Sequence, residues 1–263
     1  MGIVKNRNTR IIMVIMVILV AAGLFVSRVY YQNVNESVDP RIVEARKLYE
    51  KYNAYAENNN FNAIFRLLDS VECIYAGIGH YKESFEMGVT ANNRAAVYLT
   101  LAMHQDSIDV PENSEYLLEY SRDSLLNTAE YHLHKAIRIY QNWREKYGDL
   151  SKNACEKRIK SDFLSGLEDY SKEDQQKYLE NRVDVFLDNQ VEIDRRLSVS
   201  YTNLGVIYRL EENYDQAIDA YAKAIELWDR NMTAENNLNV LLGRPKKKQN
   251  FIHKLFPPDR DQN

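Results

Sequence analysis

The side chains that could bind a metal or attack a substrate are few: five histidines and two cysteines in 263 residues. His132 and His134 stand near Glu130, a set that would suit a metal ion if all three converged. On a helix, residues two apart point about 200° away from each other, so this pair cannot share an ion. His80 and His104 stand alone. Cys73 and Cys155 are far apart and in no Cys-x-x-Cys or Cys/His spacing, which argues against a zinc site and a disulfide framework. Two readings of the cysteines stay open: plain packing residues, or a single bridge whose geometry the sequence does not give. There is no Gly-rich phosphate loop, no Gly-x-Ser-x-Gly elbow and no His-Glu-x-x-His pattern. Glu192, Asp194 and the Glu211–Glu212 pair read as solvated helix faces. The sequence therefore predicts no catalytic residue, metal site, cofactor or small-molecule substrate.

The elements that carry these residues are helical. Nine Gly, five Pro and nineteen Tyr, with few turn-forming clusters, suit long helices joined by short loops. Charge is unevenly placed. Residues 1–28 hold four basic and no acidic residues, 244–263 hold six basic and two acidic, and 29–243 hold 24 basic and 36 acidic. A body that acidic repels a phosphate backbone, which argues against nucleic acid as a partner.

Residues 11–26, IIMVIMVILVAAGLFV, carry no charge and follow Lys5, Arg7 and Arg10. A membrane helix needs roughly 17–25 apolar residues, and Tyr30 and Tyr31 fall where interfacial aromatics sit. The expectation is a single-pass signal anchor at 11–29. A cleaved signal peptide is the competing reading, but its apolar core runs about 7–15 residues and Gly23, Ser27 and Arg28 make no clean cleavage site. The excess of basic residues before the run places the N-terminus in the cytoplasm and the body on the far side, which is the periplasm in a bacterium.

A basic segment, 1–10, thus precedes the anchor, and a polar linker, 30–40, follows it, ending on Asp39–Pro40 as a helix cap and first residue. The all-α body spans 41–243. One helix is expected over RIVEARKLYEKYNAYAEN, and a second over FNAIFRLLDSVECIYAGI after the turn NNNF, making a hairpin at about 41–77. A second hairpin at about 88–147 has a long polar loop with Pro111, and its partner helix starts near 115. A helical insertion covers 149–197. Within it Ser171 opens a run of apolar residues at spacings of three and four from Leu179 to Tyr208. That run predicts one long helix over 172–210, with the insertion as its partner.

Leu204, Gly205 and Tyr208, followed by Tyr214, Ala217, Tyr221 and Ala224, resemble a tetratricopeptide repeat, a helix–turn–helix unit of 34 residues. The best repeat is 198–231, 232–242 is its capping helix, and the two upstream hairpins are divergent repeats. Small residues let helices touch, and the large ones fill the wedge between them. The resemblance implies a solenoid that binds protein segments along the first helices of its hairpins. The residues placed there are Val199, Thr202, Val206, Arg209 and Leu210 in the best repeat, with Val89, Asn92, Ala96, Leu99 and Thr100 upstream. Members of the family that clamp a carboxylate use Lys and Asn at such places; Thr202 and Val206 depart from that pattern.

The tail, 244–263, carries Lys247, Lys248, Phe251, Ile252, Lys254, Leu255 and Phe256. It reads either as a segment that docks on a membrane surface or partner, or as a basic end folding back on the acidic body. Two functions follow: a membrane-anchored scaffold whose partners are proteins and, through its first helix, the lipid bilayer; or a structural subunit or assembly factor of a larger envelope complex.

Overall fold

The computed structural model describes residues 37–104 and 121–248. Among them every regular element is helical. The helices are α1 (Val43–Tyr49), α2 (Tyr52–Glu57), α3 (Phe61–Ala76), α4 (Phe85–His104), α5 (Arg122–Tyr147), α6 (Lys152–Leu164), α7 (Lys172–Leu210), α8 (Tyr214–Leu227) and α9 (Met232–Leu241). No described helix is long and apolar enough to cross a membrane, and the expected anchor at 11–29 lies outside the described residues. So does the expected loop with Pro111.

Neighbours in sequence pack as neighbours in space. Helices α1 and α2 lie on α3, α3 on α4, α4 on α5, α5 on α7, α7 on α8 and α8 on α9. Local sequence sets the ends of these helices. Asn60, Ser121, Ser151, Ser171 and Asn231 each accept a bond from a backbone N–H three residues on, removing an orphan donor at a helix start. The Ser121 cap starts α5 at Arg122, later than the start near 115 that the sequence suggests.

Helix α7 spans 39 residues, about 58 Å at 1.5 Å per residue, and belongs to two assemblies. Its first half holds the 149–170 segment: Lys152 pairs with Asp184 at 2.7 Å, and Gln190 donates to the carbonyls of Tyr147 and Leu150. Its second half packs on α8.

Two helix pairs meet closely at glycines. A Cβ on Gly205 would stand 2.6 Å from Cε1 of Tyr221, and one on Gly88 would stand 2.5 Å from Cε1 of Tyr140. Both rings are buried. The second hairpin thus repeats the glycine-on-tyrosine contact of the last one, although Tyr140 follows Gly88 by 52 positions and Tyr221 follows Gly205 by 16.

The first hairpin repeats a different part. Its turn places Asn59 at φ 52° and the last turn places Glu212 at φ 62°. Asn60 donates its backbone N–H to the Tyr55 carbonyl as Asn213 does to that of Tyr208. In the same register Ile64, Leu68 and Val71 take the places of Ala217, Tyr221 and Ala224, and all six are buried. Tyr52 takes the place of Gly205. A tyrosine cannot enter that contact, and here the expected single helix is broken: Lys51 donates to Leu48, three residues back, and the rings of Tyr49 and Tyr52 stack at 5.6 Å.

Candidate functional site

The histidines and cysteines do not assemble a reactive centre. His132 stacks on Tyr98 with ring planes 7° apart, while exposed His134 reaches Glu130 at 3.4 Å. Burial, then the charges of Arg94 and Lys135, push His132 down to about 4. Cys73 and Cys155 are free thiols, so the bridge left open by the sequence is not formed. Among the described residues no three His, Cys, Asp or Glu groups lie close enough to hold a metal.

A buried ionic network that the sequence reading missed lies at the first half of α7. Arg182 is 3% exposed at its side chain, pairs with Glu86 through both terminal nitrogens, and lies over the rings of Tyr81 at 4.4 Å and Phe186 at 4.7 Å. Its Nε donates to Nε2 of His80 at 3.1 Å, so the His80 proton sits on Nδ1 and is donated to Asp162 at 2.8 Å. Burial and then the Arg182 charge push His80 down to about 4. Burial opposes charge on Glu86 and Arg182, yet their mutual attraction wins: the carboxyl is lowered and the guanidinium raised. The network ties α4, α6 and α7 to the Gly79–Tyr81 turn.

The expected groove needs correction at three positions. Thr202, Asn92 and Leu99 are buried. Thr202 accepts from Asn231, which also donates to Ser198, and the Ser198 hydroxyl donates to the Ala224 carbonyl. Asn92 accepts from the Ser200 hydroxyl at 2.9 Å, which seals α4 to α7. Leu99 belongs to the main core. Ala96, Val199, Val206, Arg209 and Leu210 remain half-buried. Of the residues assigned to packing, Leu204, Gly205, Ala217, Tyr221 and Ala224 are buried and Tyr208 is half-buried, whereas Tyr214, as the first residue of α8, is exposed.

The half-buried residues define the accessible stripe directly. On α4 it runs Val89, Asn93, Ala96 and Thr100; on α7 it runs Glu192, Arg196, Val199, Asn203, Val206 and Leu210. Steps of three and four keep each set on one helix face. The two stripes meet α1 at Tyr49. Asn93 donates its amide to the Tyr49 hydroxyl, and the Arg196 charge acts on the same phenol. Burial raises the Tyr49 pKa on balance, with Arg196 and Asn93 opposing it. Arg196 is 40% exposed at its side chain and its Nε makes no hydrogen bond; its acidic neighbour is Glu192 at 3.9 Å. The first helices of all three hairpins therefore contribute to one surface, with a phenol, an amide and a guanidinium among apolar side chains.

Away from that stripe, α5, α7 and α8 enclose a polar cleft of about 760 Å³. Arg144 and Asp194 bridge it at 2.7 Å, and Gln141 donates to the Tyr201 hydroxyl at 3.2 Å.

Residues 198–231 match the tetratricopeptide repeat family. The matched unit is the hairpin of Gly205 and Tyr221, and this hairpin is similar to a tetratricopeptide repeat. No curated protein and no solved structure matches the chain.

At the C-terminal end of the described chain, Lys247 lies against α9. Its backbone N–H donates to Oδ1 of Asn236 at 2.7 Å, its carbonyl accepts from Nδ2 of the same amide at 3.2 Å, and its ammonium pairs with Glu235. Lys248 is exposed, and Phe251, Ile252, Lys254, Leu255 and Phe256 lie outside the described residues.

Proposed function

We propose that the chain is a membrane-anchored tetratricopeptide scaffold that binds a protein segment across the face centred on Tyr49, Asn93 and Arg196. The observation that carries this reading is the convergence of three first helices on one half-buried surface around the Asn93–Tyr49 hydrogen bond and Arg196, whose side chain is 40% exposed. Arg196 offers a fork to a carboxylate or carbonyl of the bound segment, and Val199, Val206 and Ala96 supply apolar contact. The uncharged run 11–26 holds the body near the bilayer, and the basic residues before it place the body outside the cytoplasm. Recovery of partners from solubilised membranes tests the face: Arg196→Glu should release proteins that the unaltered chain retains, and an unchanged set of partners refutes the site. A reporter fused at residue 263 tests the placement; activity in the cytoplasm alone refutes it.

A second reading, a structural subunit or assembly factor of a larger envelope complex, has the same repeat behind it and differs in folding. It requires residues 32–263 to aggregate or to fold only with a partner, whereas the scaffold requires that piece to be a folded monomer.

A further inference from the structure

The chain enters the helical body at a fixed point. Val38 and Asp39 are buried, and Arg41 pairs with Asp39 at 2.8 Å. The same guanidinium donates to the carbonyls of Phe163 and Ser165, at 2.9 and 2.6 Å, and lies over the Phe163 ring at 5.3 Å. These carbonyls stand at and just past the C-terminal end of α6. Arg41 therefore caps that helix and fastens it to the place where the body meets the linker.

Helix α6 buries Cys155, Ile159 and Phe163, at steps of four. Lys157 and Ser161 therefore stand on its outer side with Arg158 and Lys160 on either flank, and all four are exposed. Lys157 and Arg158 form no ion pair among the described residues, while Lys160 holds Glu156 at 3.5 Å. Asp162 accepts from His80 and Glu168 from the Gly166 N–H, so those carboxylates are engaged within the body. From Lys157 to Phe163, where Arg41 binds, the distance along the helix is about 9 Å. These cations thus sit beside the linker's exit, in a body whose residues 29–243 carry 24 basic and 36 acidic side chains.

We propose that the outer face of α6, centred on Lys157 and Arg158, is where the body lies against anionic phospholipid headgroups of the bilayer that anchors it. This contact rests on the anchored reading of residues 11–29 and adds the surface that the anchor brings to the lipid. The linker residues 30–38 span at most about 30 Å, so an acidic body is held where an anionic surface repels it. Turning the α6 face to the lipid replaces repulsion by attraction at the point of contact, and that face adjoins the tether.

The test reconstitutes the full chain into vesicles of phosphatidylcholine, with and without phosphatidylglycerol. A fluorophore on Ser161→Cys, in a Cys73→Ser background, reports energy transfer to acceptor-labelled headgroups; one on Tyr214→Cys, past the other end of the 39-residue α7, is the reference. Transfer from position 161 should exceed that from position 214 and should rise with phosphatidylglycerol. Lys157→Glu with Arg158→Glu should lower the contacting population at least roughly 25-fold, about fivefold for each cation taken from an anionic surface, and salt at about 1 M should also abolish the contact. Equal transfer from the two positions, or indifference to phosphatidylglycerol or to the two charge reversals, overturns the proposal. The anchor is scored separately, by flotation with the neutral vesicles. A chain that fails there, yet floats with phosphatidylglycerol vesicles through Lys157 and Arg158, refutes the anchor and keeps the face; a chain that floats with neither refutes both.

Discussion

Gly205→Ala separates two effects of opposite sign. Replacing glycine by alanine inside a helix favours the folded state by about 0.8–1.0 kcal/mol through backbone entropy. Position 205 lies within α7, five residues before its end, so that gain applies in full. Against it stands the Tyr221 ring, with Cε1 at 2.6 Å, Cδ1 at 2.7 Å and Cζ at 3.0 Å from the added carbon. Carbon atoms prefer about 3.5–4.0 Å, so α7 and α8 must separate by nearly 1 Å, or the ring must turn. Tyr221 is fully buried with Ala217, Ala224 and Ala234 packed in its cluster, which leaves no space for it to turn. Overpacking of this kind costs about 1–3 kcal/mol. The net expectation is a loss of up to about 2 kcal/mol, read as a urea midpoint lower by up to roughly 0.7 M at an m-value of about 3 kcal/mol/M. Gly88→Ala should lose a similar amount, because Tyr140 stands as close. Combining Gly205→Ala with Tyr221→Leu should lower stability by less than the sum of the two, by about 1 kcal/mol or more, since the leucine vacates the space. A raised midpoint for Gly205→Ala, or strict additivity with Tyr221→Leu, refutes the close-contact argument.

Two further outcomes follow from the buried charges. Arg182→Met leaves the Glu86 carboxylate without its partner and should cost about 3–5 kcal/mol in denaturant titration; adding Glu86→Gln should recover a good part of that, and equal losses for the single and double variants refute the pairing. His80 and His132 are both pushed down to about 4 from 6.5 in the folded chain. The unfolded chain takes up those protons first, so the stability they contribute is fully present above pH 6.5 and is lost as pH falls toward 4, by roughly 3 kcal/mol at most for His80 and by less for partly exposed His132, where solvent screens the charges. His80→Asn should flatten the slope of midpoint against pH between 6.5 and 4.5, and an unaltered slope refutes the assignment.

Legibility in the sequence followed the range of the interactions. Helix α7 could be read to its ends because its pattern of three and four is local and Ser171 caps it within its own first turn. The last hairpin could be read because Gly205, Ala217, Tyr221 and Ala224 lie within one 34-residue unit. The second hairpin carries the same contact between Gly88 and Tyr140, but 52 positions hide it from any fixed-period search. In the first hairpin the glycine is replaced by Tyr52 and only the turn geometry persists, which no residue type announces. The accessible face was misread by one step of the helix at Asn92, Leu99 and Thr202. Burial there is set by Ser200 and Asn231, partners 108 and 29 residues distant. Val89, Ala96 and Thr100 were placed on this face from the sequence, and the i+4 step from Val89 is the signal that could have added Asn93.

The buried network also bears on the proposed partner face. Helix α7 is held at its first half by Arg182 against Glu86 and His80, and near its second half by Ser200 against Asn92 and by Ser198 and Thr202 against Asn231. Arg196 lies between these two fixed regions, on a helix that no glycine or proline interrupts before Gly205. A ligand on the face therefore meets a guanidinium whose backbone cannot hinge, while Tyr49 sits on α1, a helix of seven residues that ends at the break before Tyr52. If any part of the surface adjusts to a partner, the physical asymmetry assigns that adjustment to α1 and α2, with α4 and α7 as the rigid side.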